Sequence, residues 1–207
     1  MQVIFLKTIE KSILISFLLM IIFSFLGFNS KCESISNKIL RLHILANSDT
    51  KEDQELKLKV RDKVLDFSRA SVDNFCNKDE AISKLNVDLN IIKNIAEEEI
   101  RNQGYNYPVK VELKKTYFTT RRYENFTLPA GQYDAVRILI GEAKGRNWWC
   151  VMFPALCLGV SKESSDEKLE SILDSKESDI VENESKYEFK FKLVEYFNNI
   201  KNWFFKQ

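Results

Sequence analysis

Alternation of apolar and polar positions marks four short stretches of the chain as strands. In "ILRLHILA", residues 39–46, Leu40, Leu42 and Ile44 fall on one side, and Arg41 and His43 on the other. "YPVKVELKKTYF", residues 107–118, sets Val109, Val111 and Leu113 against Lys110, Glu112 and Lys114. "QYDAVRILIG" (132–141) and "NWWCVMF" (147–153) are two more, with Pro129, Gly131, Gly141 and Gly145 punctuating between them. A different period runs between the first two strands. Leu56, Val60, Val64 and Phe67 recur at helical spacing, and so do Leu89, Ile92, Ala96 and Ile100. Asp49, with Glu52 three residues on, is expected to cap the first of these helices, and Asp88 the second, with a shorter helix over 79–86 before it. Gly104 suits the left-handed position past the second helix end. The order is strand, helices, then three strands with short connections. It predicts an α+β domain over residues 38–160, with helices packed on one face of a largely antiparallel sheet.

The two ends depart from this pattern. After Lys7 and Lys11, "SILISFLLMIIFSFLGFNS" (12–30) carries no charge. At a helical rise it spans roughly 28 Å, close to the hydrocarbon thickness of a bilayer. Residues 1–30 are therefore expected to be a signal peptide or an N-terminal membrane anchor, with the basic flank inside and the rest of the chain exported. Residues 161–186 turn to Ser, Glu, Asp and Lys and predict an acidic flexible linker. Residues 187–207 close the chain as an amphipathic aromatic helix, with Phe189, Leu193, Phe197, Ile200 and Phe204 on one face, and that stripe can lie on a membrane surface, on a receptor or back on the sheet's second face.

Charge and chemistry change this picture little. With 31 basic and 30 acidic side chains there is no net field for nucleic acid, and no basic stripe interleaved with aromatics. His43 is the single histidine, so a His-rich zinc site is excluded, and no motif points to a cofactor. A hydrolase would need His43 beside a nucleophile such as Ser48 or an acid, and no G-x-S-x-G elbow supports one. Against that stands the simpler expectation that His43 lies on the polar face of its strand and that Asn47-Ser48-Asp49 joins strand to helix. Cys150 and Cys157 bracket "VMFPAL", where Pro154 can turn the chain back, so a disulfide between them is one expectation and two buried thiols the other. Cys32 with Cys76 is the remaining pairing. Trp148 and Trp149 must point to opposite faces of their strand. Trp149, with Val151 and Phe153, is assigned to the core, and Trp148 to the face of Arg41 and His43. That makes Trp148, Arg41 and His43 the candidate partner contact.

The blocks "LRLHILANSD…DQELKLKVRDKVL" and "PAGQYDAVRILIGEAKGRNWWCVMFPALCL" resemble the stage II sporulation protein R family from about residue 38 to 158. The tail "FKFKLVEYF" resembles that family's C-terminus more loosely. The resemblance implies a signalling protein of endospore formers, made in the forespore and exported into the space between the two sporulation membranes. There it would trigger a membrane-embedded aspartic peptidase that processes the precursor of sigma factor E. It implies no catalytic residues.

Overall fold

A computed structural model describes residues 2–72, 75, 77–156 and 162–204. Helix α1 (Gln2–Lys38) leads into strand β1 (Leu40–Leu45), followed by helices α2 (Lys51–Val72) and α3 (Lys78–Asn102). Strands β2 (Val109–Phe118), β3 (Arg121–Arg122), β4 (Thr127–Leu128), β5 (Gly131–Ile140) and β6 (Asn147–Phe153) come next, then helices α4 (Lys162–Glu170), α5 (Ser175–Glu182) and α6 (Glu184–Phe204). The main sheet has the order β2-β5-β1-β6, and β3 and β4 form a separate ribbon. β2 runs antiparallel to β5, and β6 antiparallel to β1. Only the central β1–β5 pair is parallel, because the whole α2–α3 unit separates β1 from the later strands. The α+β class and the largely antiparallel sheet are those that the alternation predicts.

One face of the sheet carries α2 and α3. Leu40, Leu42, Ile44, Val136, Ile138 and Ile140 meet Leu56, Val60 and Val64 from α2 and Leu85, Ile92, Ala96 and Ile100 from α3, all buried. α3 is one continuous helix. Asn77 caps it by accepting the N–H of Glu80, and Asp88, expected as a cap, sits mid-helix, buried and paired with Lys84 at 2.8 Å. The cap signals compete here, and the longer apolar stripe that includes Ala81 and Leu85 wins. Gly104 does take the left-handed conformation just past the helix, at φ +84°.

The structure adds a second layer on the other face. The last turns of α1, through Phe28, Cys32 and Ile35, together with Ile39 just after it, bury against Phe118, Tyr133, Ala135 and Val151. Leu169, Leu173, Ile180, Val181, Phe191 and Val194 join the same core. The stretch 161–186, expected as a flexible linker, is thus helical over α4 and α5 and packed. Asp174 caps α5 in a full capping box with Glu177, and Lys38 reaches Glu177 at 2.6 Å. Its few apolar residues are spaced to meet a core that composition alone does not reveal. Cys32 is a buried free thiol inside this layer, which rules out its pairing with Cys76. Cys150 is disulfide-bonded; Cys76 and Cys157 lie outside the described residues.

Candidate docking face and the joint beside it

The motif "LANSD" does structural work at the end of β1. Asp53 is buried, and its carboxylate accepts Ser48 Oγ at 2.6 Å and Asn47 Nδ2 at 2.8 Å. Burial raises the Asp53 pKa, but hydrogen bonds from Ser48, Asn47 and Tyr107 outweigh it and leave it below the ordinary value. Asn47 Oδ1 also accepts the N–H of Glu142, and Asp49 accepts the N–H of Arg146 at 2.6 Å. Lys57 donates to the Arg146 carbonyl at 3.0 Å. Asp49 is thus turned toward the β5–β6 loop, and Thr50 Oγ1 accepts the N–H of Asp53 at the start of α2 instead. The joint ties strand, helix and the β5–β6 loop together, with the Ser48 hydroxyl donating a hydrogen bond to a carboxylate. His43 and Ser48 are not brought together, because His43 is held elsewhere.

His43 lies on the second face, opposite Trp149 in the antiparallel register and opposite Arg137 in the parallel one. Its ring stacks on Trp149 with centroids 4.0 Å apart and planes 5° apart. Nε2–H donates to Asn147 Oδ1 at 2.8 Å, which leaves buried Nδ1 without a partner among the described residues. Burial pushes the His43 pKa down to about 4, with Arg137 and Arg41 adding to the shift and the Asn147 bond opposing it. His43 is therefore neutral at pH 7, and in the unfolded chain it binds its proton nearer 6.5. Its contribution to stability is full above about pH 6.5 and is lost as pH falls toward 4, up to about 3 kcal/mol. Urea midpoints of wild type and His43→Phe, compared across this window, should diverge. Parallel curves would remove His43 from the acid response.

Arg41, one residue pair away on the same face, is fully buried. Its guanidinium carbon sits 4.0 Å from the Phe118 ring centroid and 4.9 Å from that of Tyr133, and Nη2 donates to the Tyr123 hydroxyl. Ring faces and one hydroxyl replace water around this charge. Nε and Nη1 have no partner among the described residues, and burial draws the pKa down. Neither Arg41 nor His43 is available as a surface contact.

Trp148 is also placed differently from the sequence expectation. It pairs with Ile44 and packs half-buried on the α2–α3 core, with the Arg61 guanidinium 4.9 Å from its ring. Trp149 and Val151 belong to the opposite core, and Phe153 to the first. A register irregularity between Leu40 and Arg41 breaks the alternation in β6, so Phe153 does not share the face of Val151. With both faces apolar, the more apolar set of three could not identify the covered face. The three candidate contacts therefore do not share one surface.

The second face also carries a partly covered charged strip that the sequence did not single out as a site. Glu112 on β2 meets Arg137 on β5 at 2.6 Å and Lys110 at 2.6 Å, and Lys114 follows two residues on. The Lys110 hydrogen bond leads the causes that hold the Glu112 pKa below its ordinary value, Arg137 and Lys114 adding to it against burial. Arg121 closes the other side, 5.1 Å from the Trp149 ring. Three cations, Lys110, Lys114 and Arg137, act on the one carboxylate, while Arg121 stands over the half-buried Trp149 indole at the opposite edge of the sheet. An arginine inside the apolar run "AVRILI" was the available signal, because it needs an acidic neighbour across the strand pair.

The profile of the family described as stage II sporulation protein R (spore_II_R) matches residues 36–163. The chain belongs to the stage II sporulation protein R family. Stage II sporulation protein R of Bacillus subtilis (strain 168) is 35% identical over 185 residues, covering 80% of this chain and 83% of that protein. No solved structure matches. The matched span runs from the last turns of α1 through the sheet, so the joint around Asp53 and the charged strip both fall in the stage II sporulation protein R region. The apolar part of α1 and all of α5 and α6 lie outside it.

Proposed function

We propose that this chain is an exported sporulation signal that acts by protein–protein contact. It activates a membrane-embedded aspartic peptidase that processes the sigma-E precursor, from the space between the forespore and mother-cell membranes. Family membership supports the role in sporulation. The observation that carries the contact mode is the charged strip of Lys110, Glu112, Lys114 and Arg137, with both lysines exposed: an oriented charged surface that steers and registers a partner. Reversing Lys110 and Lys114 to glutamate should lower precursor processing at least tenfold while leaving the melting temperature in place. Full processing by a folded double variant would overturn the assignment of this face.

Export rests on α1. Among the described residues it holds the one stretch, Lys11–Lys38, that is long and apolar enough to cross a membrane, and Ile13 to Phe23 are largely exposed. It serves as signal or anchor. Any cut must fall before Cys32, since Cys32 and Ile35 are part of the folded core. Leu18→Asp with Ile21→Asp should abolish export, each charge costing about 2.5–3.5 kcal/mol at a membrane-helix centre. A reporter enzyme active only outside the membrane, fused at the C-terminus, would read the loss; undiminished activity in the double variant would contradict the role of α1.

A further inference from the structure

Arg41 is a charge without a counter-ion. It is fully buried, and among the described residues no carboxylate pairs with it. The groups that act on its guanidinium are Tyr123, Tyr133 and a second cation, Arg121. Neither phenol supplies the missing negative charge. Burial raises both of their pKa values against the pull of Arg41, so both rings stay neutral, and the Tyr133 hydroxyl donates to the Pro129 carbonyl at 2.7 Å. A guanidinium taken out of water and left beside a like charge is strongly disfavoured unless an anion joins it.

The segment that closes over Arg41 leaves donors in the same place. Phe118 stands 4.0 Å from the guanidinium carbon, and the Tyr123 hydroxyl accepts from Nη2. The chain between them, Thr119 to Arg122, therefore arches across Arg41. Within that arch Thr120 Oγ1 and Arg121 Nε are buried without a hydrogen-bond partner, as are Arg41 Nε and Nη1. These unsatisfied atoms gather on one short stretch of chain and on the uncompensated charge it covers. Native interiors rarely leave even one such group unpaired. Water satisfies hydrogen bonds but not charge. His43 Nδ1, also unpaired, is an acceptor and takes no part.

We propose that Arg41, Thr120 and Arg121 form a binding site for one small oxyanion, a carboxylate or phosphate taken up from solution. An oxyanion brings several acceptor lone pairs, which suit donors on three side chains better than a single-point ion does. The arch runs into the β3–β4 ribbon, which has only two residues in each strand, so local opening admits a small ion. Once bound, the anion fastens the ribbon to β1. The ribbon also meets α6, through Arg122 and Thr127 on Glu184, so the site braces the second layer as a whole.

The test follows the melting temperature of the full chain in nonionic detergent and Tris chloride near neutral pH. Sodium acetate and inorganic phosphate are titrated separately, with ionic strength held constant by sodium chloride. A saturable rise with at least one of them is expected, and the anion that gives it names the ligand class. Arg41→Met should remove the rise and, without either anion, should melt at or above wild type, because the unpaired charge is gone. Thr120→Val should keep the wild-type melt in Tris chloride and raise the half-saturating concentration about fivefold. No saturable rise with either anion overturns the proposal. So does a rise that survives Arg41→Met, which places the anion elsewhere. An Arg41→Met variant that unfolds, or melts well below wild type in Tris chloride, also overturns it, since the rings then satisfy the charge on their own. An unchanged half-saturation in Thr120→Val overturns the donor set.

Discussion

Gly145→Ala is expected to destabilise the domain by about 3 kcal/mol or more, a large share of the roughly 5–15 kcal/mol that keeps a domain folded. A Cβ at this position would stand 2.1 Å from the Ser48 carbonyl oxygen and 2.6 Å from its carbon, with the Ala46 Cβ at 2.9 Å. The obstacle is mostly backbone, so no rotamer change relieves it. To make room, the β5–β6 loop must retreat from the end of β1. That motion breaks the bond from Gly145 N–H to the Ala46 carbonyl (3.0 Å), then Lys144 N–H to Asn47 O (3.1 Å), and then the Arg146 N–H contact to Asp49. Asp53 would stay buried with a loosened set of donors. Gly27→Ala is the control, since nothing lies within 4 Å of a Cβ there. Urea denaturation of both variants settles the matter: an unchanged midpoint for Gly145→Ala would mean that the joint is not packed as described.

The tryptophan pair gives the second large effect. Trp149→Ala is expected to cost about 3–5 kcal/mol. The indole fills the space between His43, stacked at 4.0 Å, and Phe118, edge-on at 4.6 Å, and it lies beneath Arg121. Its removal also opens buried His43 to water, so the acid sensitivity of the domain should shrink along with its stability. Trp148→Ala should cost about 2 kcal/mol, because that side chain packs on the α2–α3 core and under Arg61. Sequence alternation alone assigned it no stabilising part. Thermal melts of the two variants separate the cases: an unshifted melting temperature for Trp148→Ala would restore its place on an open face.

The elements that sequence fixed best are those whose apolar period had only one partner to satisfy. β1, β2, β5 and β6, the α2 stripe of Leu56, Val60 and Val64, and the glycine end of α3 all follow from local pattern and turn chemistry. The family, too, was legible in two long blocks of the chain. The candidate contact was not. Trp148, Arg41 and His43 were grouped by assuming that a polar face is an open face. Arg41 and His43 are instead buried, among rings from β2, β5, β6 and the β3–β4 ribbon that lie far off in sequence.

Local pattern determines whether a segment is helix or strand and which residues share a side, because 3.6- and 2-residue periods are properties of the backbone. It determined here that the N-terminus is apolar enough for a membrane and that the domain is α+β. Only the tertiary structure decided that α1, α4, α5 and α6 cover the second face. The acidic stretch 161–186 offers just a few apolar residues, and their value depends on Phe28, Tyr133 and Phe118 being there to receive them. Only the structure, likewise, decided which polar residues stay open. In the charged strip Lys110 and Lys114 are exposed and Glu112 and Arg137 half-buried, because the covering helices reach one half of the face and stop, a matter of where long-range packing ends.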